Sequence, residues 1–67
     1  MKIFVTEIQE YQDGTTSTPS FAYENRNEAE AKYHAILSAA AVSSVPIHSA
    51  MMFQSDGSPV KHESFTH

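Results

Sequence analysis

The sequence has no cysteine and no tryptophan, only two glycines, and four Lys/Arg residues against eight Asp/Glu. Without cysteine there is no disulfide, no thiolate metal site and no thiol nucleophile. This matters in a chain of 67 residues, because a domain of that size buries only about 60% of the surface its unfolded chain exposes. Small scaffolds are held by disulfides, a structural metal or oligomerisation. With disulfides excluded, the expectation is a homo-oligomer, at least a dimer. The scarcity of positive charge leaves a net charge of −4 and no basic stripe, so duplex nucleic acid is not expected as a partner. A single phosphate-bearing small molecule remains compatible. No apolar run approaches the ~20 residues of a membrane span. The stretch from Met1 to Val5 is too short, and the chain too polar by Glu7, for a signal peptide. No membrane partner is expected, and the expected location is the cytoplasm.

What is present suffices for one folded domain over residues 1–67, with 40% hydrophobic and 10% aromatic residues. Lys2 to Tyr11 is rich in β-branched and aromatic residues and reads as a strand. Asp13-Gly14 is a hairpin signal. Thr15 to Tyr23 reads as the return strand, weakened at Pro19, which cannot donate to a ladder and marks an edge. A two-residue turn at Asp13-Gly14 would pair Phe4 with Tyr23 and Thr6 with Phe21. Phe4, Ile8, Phe21 and Tyr23 would then share one face, with Ile3, Val5 and Ala22 on the other.

Asn27, with Glu30 three residues on, is the expected helix cap, and Asn25 with Glu28 is the alternative. Ala29, Tyr33, Ile36, Leu37 and Ala40 form one helical stripe. The helix is expected to stop near Val42, because Pro46 biases Val45 out of the α region. Ile47 to Gln54 reads as the third strand, Asp56-Gly57 as a second hairpin turn, and Val60 to Phe65 as the fourth strand. Ile47, Ser49, Met51, Phe53, Val60 and His62 read as the better core face of this hairpin, against His48, Ala50, Met52, Lys61, Glu63 and Phe65. The expected fold class is α+β: a ββαββ, four-stranded antiparallel sheet with one helix packed on one face. Apolar residues on both sheet faces point to oligomerisation through the sheet, face to face or edge to edge.

The chemistry concentrates between Arg26 and Met51. No HxH, HxxxH or HExxH spacing occurs among the four histidines, so no metal site is expected. The helix start offers Arg26 and free backbone N–H groups to an anion. The corner Ser43-Ser44-Val45-Pro46-Ile47-His48 gathers hydroxyls, amides and an imidazole on a short loop, with Tyr33 and His34 as neighbours. Each feature also has a plain role: charges solvated at the surface, serines satisfying the last helical carbonyls, histidines at element edges. Ser44, His48 and Asp56 could assemble a hydrolytic triad on paper. No nucleophile elbow or glycine-rich phosphate loop supports one, and no enzyme and no cofactor are expected.

The run RNEAEAKYHAILSAAAVSSVPIHSAMM, with EIQ and DGT before it and His67 at the close, resembles a family of very small uncharacterised proteins encoded by phages and prophages of anaerobic gut bacteria. The likeness covers most of the chain and is densest from Arg26 to Met52. It carries no catalytic residues. It implies a setting in the host-cell cytoplasm and action on host machinery, either by capping a host protein or by sequestering a small signal of host immunity at a subunit interface. The expected function is therefore a non-enzymatic, phage-encoded binding protein. It would antagonise host defence by holding a nucleotide-derived small molecule between subunits, with Arg26, Tyr33, His34, Ser43, Ser44 and His48 as the ligand-binding residues. The alternatives are a protein-interaction module that inhibits a host protein directly and a structural phage protein.

Overall fold

A computed structural model describes all of residues 1–67. It contains β1 (Ile3–Glu10), β2 (Thr16–Ser17), β3 (Ser20–Tyr23), α1 (Arg26–Ala41), β4 (Ile47–Gln54) and β5 (Pro59–Thr66). All strands are antiparallel neighbours in one sheet, in the order β2-β1-β4-β5, with β3 also on β1. The α+β class is as expected, but the sheet has five strands rather than four. The return strand breaks at Thr18-Pro19. Pro19 still accepts a hydrogen bond from Glu7 N–H at 2.9 Å, while its own missing donor leaves that edge in two short pieces.

Both hairpins close with three-residue loops. Tyr11 N–H donates to Thr15 O, and Gly14 N–H donates to Tyr11 O, at 2.8 and 2.9 Å. Gln54, Gly57 and Ser58 repeat the pattern in the second loop. Gly14 and Gly57 take φ of 88° and 87°, the left-handed geometry that ends this kind of loop. Asp13 and Asp56 accept from the backbone N–H and the hydroxyl of Thr15 and Ser58, which holds each turn in shape.

The extra loop residue corrects the expected faces. In the first hairpin Ile3 pairs with Tyr23 and Val5 with Phe21, one register step from the expectation. A one-residue slip moves every side chain to the other face. Phe21 and Tyr23 therefore join Ile3 and Val5 beneath the helix, and Phe4, Ile8 and Ala22 lie opposite. In the second hairpin a bulge between Met52 and Phe53 leaves Val60 unpaired, and Met52 regains Lys61 as partner. The pairing there is as expected, but the core face is not. Ala50 and Met52 are buried under α1 with His48, whereas Ile47, Met51 and Phe53 are only half-buried.

Asn25, not Asn27, caps α1: its side-chain oxygen accepts from Asn27 N–H at 2.7 Å. The helical stripe packs as read, with Ala29, Tyr33, Ile36 and Ala40 buried and Leu37 packed against them. Ala29 and Ala40 are fully buried, and their small side chains let the helix lie close to the sheet. Val5 and Met52 face each other across β1 and β4 at zero exposure, each contributing roughly 1.5–3 kcal/mol of apolar burial. Only eight of the 67 residues are buried, a thin core for an isolated chain. On the far side of the sheet Phe4 and Phe53 stack at 5.4 Å, in one half-buried apolar stripe with Ile8, Ile47 and Met51. No element of the chain covers it. No helix is long and apolar enough to cross a membrane.

Candidate functional site

The polar side chains gather in two places, and neither is the Ser43–His48 corner as a unit. The first is a charged cluster on the flank of α1. Glu30 is its hub. Lys61 Nζ donates to Oε2 at 2.8 Å, Arg26 Nε donates to Oε1 at 3.3 Å, and His34 Nε2 lies 3.3 Å from Oε2. Arg26 and His34 reach Glu30 from one turn before and one turn after it on the same helix face. Lys61 arrives from β5. The Lys61 hydrogen bond, helped by Arg26 and opposed by desolvation, holds the Glu30 carboxyl below its ordinary pKa.

Lys61 Nζ also sits 5.4 Å from the centre of the Tyr33 ring, and Lys32 Nζ is 4.2 Å above Phe21. The Tyr33 ring meets His34 edge-on at 5.6 Å. Two of the four Lys/Arg residues of an acidic chain, Arg26 and Lys61, thus line this flank, while Lys32 lies over Phe21 on the β3 side of the helix. Arg26 and His34 are mostly exposed, at 56% and 66% of their side chains, so their donors face water as well as Glu30. Tyr33 is only 3% exposed and belongs to the core. Burial, then the Glu63 and Glu30 charges, push its phenol above the ordinary value.

The second place is a cross-strand pair under the helix. His48 is 5% exposed, and its Nε2 lies 2.6 Å from Glu7 Oε2. Its Nδ1 is buried with no hydrogen-bond partner. His48 lies beneath the helix because β4 turns its even-numbered residues to that side, beside Gln9 of β1 and Phe65 of β5.

The expected grouping is divided. His34 stands on the outer flank of the helix and His48 in the sheet below it, with no shared partner. Ser43 is spent locally, its Oγ accepting from Val45 N–H at 3.0 Å, and Ser44 is exposed. The serines do not satisfy the last helical carbonyls. Val42 and Ser43 N–H groups do, and His67 Nε2 donates to Ala40 O at 2.8 Å. Arg26 lies at the opposite end of the 16-residue helix from that corner, about 24 Å away.

The paper triad is not assembled. His48 is bonded to Glu7, and Asp56 holds Ser58 at the far end of β4, about 25 Å along an extended strand. No three His or carboxylate groups converge as metal ligands would, and no pocket forms within the single chain. Glu30, Lys61 and Glu7 are the residues sequence reading missed. Glu30 looked like a cap, and the partners of Lys61 and Glu7 lie 31 and 41 positions away.

Protein-family models, curated proteins and solved structures were each compared with the chain, and none matches it.

Proposed function

We propose that this chain is a non-enzymatic, phage-encoded binding protein that antagonises host defence in the host-cell cytoplasm. It sequesters a nucleotide-derived, anionic small molecule at a subunit interface. The observation that supports this reading is the cluster of Arg26, His34 and Lys61 around Glu30, where positive donors collect on an otherwise acidic chain. Guanidinium and ammonium groups already held by a carboxylate are pre-positioned for phosphate, and binding to an ordered site loses less entropy. In this reading Arg26 and Lys61 meet phosphate, and His34 donates at the rim. Tyr33 supports Lys61 from below rather than stacking on a base. Ser43, Ser44 and His48 are not part of the site.

Calorimetry with cyclic nucleotides and ADP-ribose derivatives tests the reading. Binding that Arg26→Glu weakens at least tenfold is the expected result, and silence across the panel refutes it.

A second reading, a module that inhibits a host protein by direct contact, is favoured by the uncovered stripe of Phe4, Ile8, Ile47, Met51 and Phe53. Met51→Lys distinguishes the two. It abolishes protein capture in the second reading and leaves nucleotide binding intact in the first.

A further inference from the structure

The two edges of the sheet are unlike. One is blunted: β2 and β3 are two and four residues long and are separated at Pro19. The other is β5, eight residues long, with nothing on its outer side. A long open edge invites a further strand. Its charges, Lys61 and Glu63, could serve only to repel such a strand, and the test is what they meet when β5 pairs with itself.

Two copies joined by an antiparallel β5–β5 ladder are related by a two-fold axis normal to the sheet. That axis keeps each face on its own side, so it must pass through a residue, because only residues of like parity share a face. Centred on Lys61 or on Glu63, the axis opposes like charges, which is destabilising. Centred on His62, it opposes Lys61 to Glu63 of the second copy, twice, on the helix side. That register alone uses both charges as complementary cross-strand pairs. Glu63 is free to do so, having no hydrogen bond or ion pair in its own subunit.

We infer that two copies of the chain pair through β5 about His62 into one continuous ten-stranded sheet. The pairing makes the site composite. Lys61 belongs to the Glu30 cluster, so the axis sets the two clusters side by side on the helix face, with each Lys61 and Glu63 shared between subunits. A doubly charged ligand lying across the axis would meet Arg26, His34 and Lys61 of both copies. This ligand half of the inference rests on the function proposed above; the pairing itself does not.

The chain lacks cysteine, so single cysteines report the pairing cleanly. His62→Cys places two α-carbons about 4.5–5.5 Å apart across the axis, within the Cα separation a disulfide spans. It should oxidise to a covalent dimer. Ser64→Cys, which has no copy of itself opposite in this register, should cross-link poorly. Light scattering should give wild-type protein twice the 7.4 kDa chain mass. Glu63→Lys, on a side chain with no intramolecular partner, should weaken association at least tenfold while circular dichroism stays unchanged. Mixing it with Lys61→Glu should restore a heterodimer, since each opposed pair is then of opposite charge. A monomer at all concentrations, or a dimer indifferent to Glu63→Lys, overturns the pairing. A β5-paired dimer that ignores the whole nucleotide panel supports the pairing and refutes only the proposed ligand.

Discussion

His48 Nε2 lies 2.6 Å from Glu7 Oε2 on the sheet face that α1 covers, and the other ring nitrogen of His48 has no partner. This is the one buried polar residue of the core. A buried polar group left unpaired costs about 1–3 kcal/mol, whereas removing both partners together can be nearly neutral. Glu7→Ala should therefore destabilise the fold by about that amount. The double variant Glu7→Ala/His48→Leu should recover most of the loss. Urea unfolding checks both, and a double variant as unstable as Glu7→Ala would show that the pair does more than satisfy itself.

Met51 and Met52 are neighbours in the chain and opposites in the fold. Met52 is fully buried under α1, and Met51 is half-buried on the uncovered face. Met52→Ala should cost about 2–5 kcal/mol, enough to unfold so small a domain near room temperature. Met51→Ser should leave the unfolding midpoint of the chain within a few degrees, as a surface substitution of about 0.5 kcal/mol does. Thermal melts read the difference, and equal losses would contradict the face assignment.

These two methionines also show what was legible in the sequence. The order of elements, the helical stripe from Ala29 to Ala40, both hairpins and the stop before Pro46 follow from local pattern and turn chemistry. The faces do not, because they depend on one loop residue. An Asp-Gly pair fits a two-residue turn or the last two positions of a three-residue loop, and the choice shifts the register by one. In the first hairpin that shift decides whether Phe21 and Tyr23 meet the helix. In the second the bulge at Val60 cancels it. The candidate site was legible only at Arg26 and His34, which lie one helical turn on either side of Glu30. Lys61 and the Glu7–His48 pair depend on where β5 and β1 lie beside β4, which short-range pattern does not carry.

Gly14 and Gly57 sit at φ of 88° and 87°, and a β-carbon built on either meets nothing within 4 Å. Replacement by alanine is therefore a test of backbone geometry alone. Each should cost about 1–2 kcal/mol, and asparagine, which tolerates the left-handed region, should cost less. Alanine variants as stable as the parent would contradict the three-residue loops.

Glu30, Asp13 and Asp56 all have pKa values below their ordinary ones. The Lys61 hydrogen bond is the largest cause for Glu30, and the Thr15 and Ser58 hydroxyls are the largest for the two aspartates. A carboxyl with a depressed folded-state pKa adds stability above its unfolded value, and that stability is lost as pH falls through the folded value. The loss should begin below the ordinary values of 4.5 for Glu30 and 3.8 for the aspartates, with no change from this source between pH 6 and 8. All three groups are solvated, so the effect is small. Melting temperatures from pH 7 to pH 3 should fall less steeply in Glu30→Gln than in the parent.

The central claim is that two copies of this chain hold one anionic small molecule between them. Native mass spectrometry of the protein taken directly from the cells that make it reads both halves at once. The account predicts a dimer, or a multiple of it, carrying an additional nucleotide-sized mass that Arg26→Glu removes. A bare monomer of 7.4 kDa would contradict it.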